Sequence, residues 1–262
     1  MTITIQQAID TIIAAVPGAP FPDTVDSVKL GDPSKPITGI ATTFLANCDV
    51  IEQAVQLNAN LIICHEPLFY NHRDNTDWLH DDPVYQAKRH LIETHGLVVW
   101  RFHDYLHSLQ PDPVLMGLIE ALSWKAYFQP ETELCQIPPL RLKDLVSVVK
   151  AKLHIQTLRA IGNLDMECKT IALLPGFPSA EKQMTVLGQS GVDVVLCGEI
   201  HEWETSEYAR DAVHVGRDKA LIVVGHAASE EPGMMAIIPW LEERLPDVPI
   251  QFVPTENAFQ YL

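Results

Sequence analysis

Three apolar runs in this chain end in side chains that bind metal ions. Leu61-Ile62-Ile63-Cys64 stops at His65-Glu66, and Val98-Val99-Trp100-Arg101-Phe102 stops at His103, with His107 four residues on. Leu221-Ile222-Val223-Val224-Gly225 stops at His226, with Glu230 four residues on. A spacing of four puts both side chains of a pair on one helix face, where they can reach one ion. One such pair is weak evidence. Three groups at equivalent strand ends say more, because burying so many polar and charged groups beside an apolar core is costly unless a cation neutralises them. A fourth strand end, Val194-Val195-Leu196-Cys197-Gly198, delivers Glu199 and His201 to what would be the same cleft. The bland alternative is that a histidine after a strand is a capped or solvated loop residue. That reading is preferred for both His201 and His214, and Glu230 alone would suit any helix N-terminus. Mixed imidazole and carboxylate donors favour zinc, iron or manganese over calcium.

These side chains need a scaffold that brings strand ends together, and the chain alternates strand and helix signals throughout. Residues 3–15 have apolar positions at helical spacing and end at Pro17-Gly18. Residues 37–45 read as a strand, and Cys48-Asp49 can cap a helix through Leu57. Pro83 to His95 reads as a helix that begins at proline and is closed by Gly96. In the second half, residues 111–122, 140–153, 179–189 and 204–212 read as helices, and 170–174, 192–197 and 220–225 as strands. Residues 230–245 have helical content, with Pro232 in a first turn and Pro239 kinking or splitting the helix. A last strand is expected at 249–254. The rhythm predicts an α/β fold of two lobes, with largely parallel sheets flanked by helices. The proline-rich stretch 129–139 is the natural boundary. The expected lobes are 1–128 with 221–262, and 129–220, the metal site lying in the cleft between them.

Composition limits the partners. The chain has 262 residues, 47% of them apolar, which excludes a disordered tail protein. Eighteen basic residues against 34 acidic ones give a net charge of −16, a field that repels phosphate backbones and anionic membranes. No basic patch offsets it, so a nucleic-acid partner is disfavoured. No run approaches the roughly 20 apolar residues of a membrane span. Five cysteines without a CxxC spacing, and no targeting segment ahead of Lys29, point to a reducing, cytoplasmic setting.

Four segments resemble the Nif-three-like dinuclear metal-centre proteins, also called GTP cyclohydrolase I type 2-like. LIICHEPLFY resembles that family's LIIxHHPLxF motif, and GHAASEEPGM its GHxATExPG motif. FHDYLHS stands where the family has HTxLDA, and CGEIHEWETSEYARDA resembles its TGExxxxxxxxARE stretch. The segments keep the family's order, and the chain has no room for the long middle insertion of some members. The resemblance makes His65, His226 and Glu230 metal ligands. Two positions depart from it: Glu66 stands for the family's second histidine and His107 for its bridging aspartate. The exchange is reciprocal, so three histidines and two carboxylates remain. Imidazole rarely bridges two metals, so Glu66 or Glu230 must span both ions or the site holds one. His103 matches a histidine beside the family's site and would be an added ligand or an orienting group.

The resemblance also implies a ring-shaped homo-hexamer. The leading function is metal-dependent hydrolysis of a small substrate of a nucleotide-like or phosphorylated kind. One or two divalent transition-metal ions would activate water, with His103, Glu199 and His201 as unranked proton carriers. The competing class is a metal-binding or partner-binding scaffold without turnover.

Overall fold

Short runs of β-branched and other apolar residues make the strands, and polar side chains cap several of the helices between them. A computed structural model describes residues 3–261. In chain order the strands are β1 (Val28–Leu30), β2 (Ile40–Thr43), β3 (Leu61–Cys64), β4 (Val98–Arg101), β5 (Phe128–Gln129), β6 (Leu134–Arg141), β7 (Arg159–Ile161), β8 (Glu167–Leu174), β9 (Val194–Cys197), β10 (Ala220–Val223) and β11 (Ile250–Phe252). They form two sheets in two compact units. The first unit is the chain through Val114 together with Gly233–Ala258, and the second is Leu115–Pro232 with the tail from Phe259.

The first unit has the strand order β1-β4-β3-β2-β11. β11, β2, β3 and β4 run parallel, and β1 closes the edge antiparallel to β4. Every residue of β2, β3 and β4 is buried, the pattern of a parallel sheet covered on both faces. On one face Ile5, Ile9 and Ile12 pack with Trp100 and Phe102. On the other, Val50, Ile51 and Ile92 pack with Ile62 and Val99. Helix Ile5–Ala14 starts with a capping box, Thr4 Oγ1 accepting from Gln7 N and Gln7 Oε1 accepting from Thr4 N. Helix Cys48–Gln56 is capped by Asn47, one residue ahead of the expected Cys48-Asp49. Helix Pro83–Thr94 has its proline in the first turn, as expected, with Asp82 as the cap.

The second unit has the order β5-β6-β8-β9-β10-β7. Only β8, β9 and β10 run parallel, so this sheet is mixed where a largely parallel one was expected. Leu118, Ile119 and Leu122 pack on one face with Leu173, Leu196 and Ile222. Leu187 and Ala209 pack on the other with Val195 and Leu221.

The unit boundaries differ from the expected ones. The stretch 129–139 contributes to β5 and β6, and β6 takes Pro138 and Pro139 in an irregularity between Gln136 and Leu140, where no ladder N–H is needed. β10, expected in the outer lobe, pairs with β9 and β7 in the second unit's sheet. Helix His226–Ala236 holds Pro232 in its interior rather than in its first turn, and Pro239 opens the next helix, Ile238–Glu242, so the expected split is present. The five cysteines are free, Cys48 exposed and the other four buried. Among the described residues no helix is long and apolar enough to cross a membrane.

Gly233 offers a test of the packing in the first unit. An alanine inside a helix normally stabilises by about 0.5–1 kcal/mol over glycine. Here a Cβ would stand 2.7 Å from Val114 Cα and 3.2 Å from Pro113 O, both backbone atoms that cannot swing aside. Gly233→Ala should therefore destabilise, by about 1–3 kcal/mol, which a urea titration monitored by circular dichroism will read.

Candidate metal centre

In the first unit, β3 and β4 lie side by side in parallel, with Cys64 paired to Arg101. His65 and His103 follow these two strand ends, and a short helix, Asp104–Ser108, carries His107 back over them. The result is a cluster of three imidazoles. One ring nitrogen from each of His65, His103 and His107 lies within 4.8 Å of the others. His65 and His103 stack with centroids 4.6 Å apart, and His107 meets each of them edge-on at 5.0 Å.

The other ring nitrogens decide what this cluster can do. His65 Nδ1 is 3.3 Å from Phe102 O, His103 Nδ1 is 2.9 Å from Asp104 Oδ1, and His107 Nδ1 is 2.9 Å from Asp112 Oδ2. A carbonyl or an ionised carboxylate can only accept, so each Nδ1 carries the proton and each Nε2 is left as the basic nitrogen. Tying one nitrogen to an oxygen so that the other can bind is how metal-ligating histidines are oriented. The donor set therefore fits a divalent transition metal. Burial, followed by the neighbouring His65 and His107, lowers the His103 pKa to about 4, which keeps its imidazole neutral at neutral pH.

The supports of this cluster come from far along the chain. Asp26, itself buried, accepts from the backbone N–H groups of His103, Asp104 and Tyr105 at 2.8, 3.1 and 2.7 Å, capping the helix that carries His107. Asp104 accepts from Val25 N–H and the Thr24 hydroxyl. Burial pushes the Asp104 pKa up, but these hydrogen bonds and His103 outweigh it and hold it at about 2. Arg101 is fully buried and donates from Nε to His65 O at 3.1 Å and from a terminal nitrogen to His72 O. Its other terminal nitrogen is 3.6 Å from Glu66 Oε2, while Glu66 Oε1 lies 4.0 Å from His103 Nε2.

The second unit brings together His226, Glu230 and Glu199. His226 and Glu230 stand one turn apart on helix His226–Ala236, with Nε2 and Oε2 3.1 Å apart. His226 Nδ1 faces Glu199 Oε2 at 3.5 Å. The loop after β8 packs against this pair through Gly176, whose backbone is left-handed (φ +67°) and whose missing Cβ would fall 2.0 Å from Glu230 Oε1. Ser229, fully buried, accepts from Gly176 N–H at 2.9 Å and donates to His226 O at 2.7 Å. His201 turns to Glu204, with Nδ1 and Oε2 2.6 Å apart, and to the rings of Phe177 and Trp203. Cys64 and Cys197 end strands beside these groups, and burial pushes both thiols up to about 12, so neither offers a thiolate at neutral pH.

Sequence reasoning named the ligand types but missed Asp26, Arg101, Asp112, Gly176 and Ser229. The hydrogen bonds that Asp26 accepts from residues 103–105 span more than 75 positions, a pairing with no local signal. Asp112 was closer to hand, an acid five residues after His107.

Gly176→Ala should cost stability twice, through the left-handed backbone, about 1–2 kcal/mol, and through the collision with Glu230. Gly216→Ala provides the comparison, because Gly216 is also left-handed (φ +77°) but has open space where its Cβ would be. Thermal melts should show the larger loss at Gly176, and only that variant should also lose metal affinity.

Comparisons with known proteins bear on the family and the fold. The family model described as Duf34/NIF3 (NGG1p interacting factor 3) matches residues 25–258. A protein of Clostridium acetobutylicum named GTP cyclohydrolase 1 type 2 homolog is 24% identical over 232 residues, covering 83% of this chain and 81% of the relative. A Clostridium perfringens protein of the same name is 22% identical, covering 88% and 87%. The solved structure of a Bacillus cereus protein related to NIF3 aligns over 100% of both chains with a TM-score of 0.81 at 15% identity. That of a Staphylococcus aureus hypothetical protein aligns over 100% of both with a TM-score of 0.78 at 18% identity. The α/β fold with two sheets flanked by helices is the one these structures share, and the chain belongs to the Duf34/NIF3 family.

Proposed function

We propose that this chain is a metal-dependent hydrolase of a small substrate, nucleotide-like or phosphorylated. Its ligands are His65, Glu66, His107, His226 and Glu230, holding one or two ions of zinc, iron or manganese. One observation supports this most directly: all three imidazoles of the first unit's histidine cluster have Nδ1 tied to an oxygen acceptor, so that Nε2 is basic. A bound divalent ion supplies a Lewis acid and lowers the pKa of its water.

The chain's own groups do the rest. His103 enters as a neutral imidazole, positioned by Asp104 and by stacking on His65, and serves as a further donor or as a proton acceptor at Nε2. Glu199 orients His226 through Nδ1 and offers a half-exposed carboxylate for proton transfer. His201 exchanges a proton through Nε2 while Glu204 holds Nδ1. The curated relatives' shared name, GTP cyclohydrolase 1 type 2 homolog, agrees with a nucleotide-like substrate.

Elemental analysis of untagged protein, before and after chelation and reloading, tests the ligand set. Wild-type protein should retain or regain metal, and His65→Ala and His226→Ala should each lose it. Equal metal content in all three would refute the assignment. Glu66→Gln keeps the shape and loses the charge, and should weaken one ion more than the other in a titration. Turnover lost together with the metal identifies a hydrolase. Metal bound without turnover on any phosphorylated or nucleotide substrate identifies a scaffold.

We also propose a homo-oligomer, a hexamer as the family resemblance implies. Subunits of net charge −16 can associate because repulsion is screened beyond about 8 Å in physiological salt. Light scattering at micromolar concentration should give the mass of six chains, and a stable monomer would refute it.

A further inference from the structure

Beside the second unit's donor group stands an aromatic surface that metal binding does not use. Trp203 is 74% exposed, a large apolar ring left open to solvent. It lies flat against His201, with centroids 4.9 Å apart and planes 8° apart, and Phe177 is tilted against His201 at 4.7 Å. Exposed tryptophans usually swing freely, but this one is held. Glu204 fixes the imidazole it rests on, Nδ1 and Oε2 being 2.6 Å apart.

Beneath these rings the backbone is anchored by buried polar groups. Gln183, fully buried on helix Ala180–Gly188, donates to Glu199 O at 2.8 Å and accepts from the Thr205 hydroxyl at 2.6 Å. It therefore grips the segment 199–205 on both sides of Trp203. Residues Glu202–Ser206 form a π-helical turn, a rare geometry found frequently at functional sites. Glu199 N–H donates to Gly176 O at 2.9 Å, tying this loop to the one that carries Phe177. Both loops leave the carboxyl ends of the parallel strands β8 and β9, where open α/β sheets bind ligands. The platform also adjoins the donors by chain connection, since Phe177 follows Gly176 and His201 is two residues from Glu199.

We propose that Trp203, backed by His201 and Phe177, is a stacking subsite for a planar heteroaromatic group that is neutral or cationic. Stacking needs only an open π-face and tolerates many rings. The charge preference comes from the surroundings: Glu199, Glu202 and Glu204 stand about the platform with Arg159, paired to Glu202, as their counter-cation. A polyphosphate tail would meet a net negative surface here. The inference deepens the proposed function by naming the ring-bearing part of the substrate, and it rests on that reading only for the purpose of the subsite, not for its existence.

Fluorine NMR of the full chain labelled with 5-fluorotryptophan tests it, Trp203 being identified by its missing resonance in Trp203→Phe. The probes are adenosine, 1-methylnicotinamide, adenosine triphosphate and ribose. Adenosine and 1-methylnicotinamide should shift the Trp203 resonance saturably, with a dissociation constant of about 1 mM, as suits a single stacking contact. Ribose should do nothing, and the triphosphate should bind more weakly than adenosine. By equilibrium dialysis, Trp203→Ala should weaken adenosine binding about tenfold or more, with Trp203→Phe retaining most of it. His201→Ala should fall between them.

Absence of any saturable Trp203 shift in folded protein would overturn the proposal. So would a shift that follows protein concentration instead of probe, which would mean that a second copy covers the ring, and so, on chelated protein, would tightest binding by the triphosphate. The titrations are run on chelated and on metal-reloaded protein. Stacking in both, with no metal regained, would sink the ligand assignment and leave the platform. Metal regained with no stacking would do the reverse.

Discussion

The first unit is organised around one cation that cannot be neutralised by losing its proton. Arg101 ends β4 with none of its side chain exposed, and a guanidinium keeps its charge in any protein environment. Burying it is tolerable only if oxygen acceptors surround it. Those acceptors are the carbonyls of His65 and His72 and the carboxylates of Glu66 and Asp74, all on the segment that leaves β3. Lys29, from β1, also reaches Asp74, at 3.2 Å. The arginine therefore dictates the path of the loop after His65 and the direction in which His65 leaves its strand. Lys88 secures the same loop from the opposite helix, donating to Leu68 O at 2.6 Å with Phe69 and Tyr70 against its ammonium.

The second unit solves the same problem with small residues. His226 and Glu230 sit on the first turn of a helix, so two strand-end loops must pass close beneath them. Gly176 and Gly198 allow this: a Cβ on Gly198 would stand 2.5 Å from Ser229 Oγ and 2.6 Å from Gly176 O. Ser229 then satisfies the backbone at the contact. Close approach and hydrogen bonding are coupled here, and neither would hold the carboxylate of Glu230 without the other.

What the sequence made legible follows from the range of the interaction. β3, β9 and β10 are continuous apolar runs closed by a histidine or a glycine, and β4 departs from that only at Arg101, so these strands announce themselves locally. The ligand types at their ends are legible for the same reason. β5, β6 and β7 are not: β5 and β7 are short antiparallel edge strands, β6 is a longer antiparallel strand of mixed burial, and none has a continuous apolar run. Two prolines in β6 read as a linker, although an irregular register absorbs them. Pro232 misplaced a helix start, since a proline is best tolerated in a first turn, whereas here the helix begins at His226 and carries Pro232 inside it. The supporting acids Asp26 and Asp104 act through hydrogen bonds between segments about 80 residues apart, and spacing alone cannot show those.

The unusual glutamate at position 66 has a physical reason in the charge count around Arg101. Lys29 and Arg101 carry two positive charges in nearly water-free surroundings, and Asp74 returns only one negative charge. A neutral imidazole at position 66 would leave that group with an uncompensated cation beside the histidine cluster, where it would oppose a divalent ion. Glu66 supplies a second negative charge from 3.6 Å, in a group to which the buried Lys88 adds a further cation near Asp74. The same carboxylate reaches within 4.0 Å of His103 Nε2, so one side chain serves the buried guanidinium and faces the imidazoles. Its two oxygens divide these tasks, Oε2 toward Arg101 and Oε1 toward His103, a division that aspartate's shorter arm would not span from the same backbone position. The choice of glutamate at 66 is thus tied to the choice of arginine at 101, and exchanging either alone would unbalance the charge beneath His65.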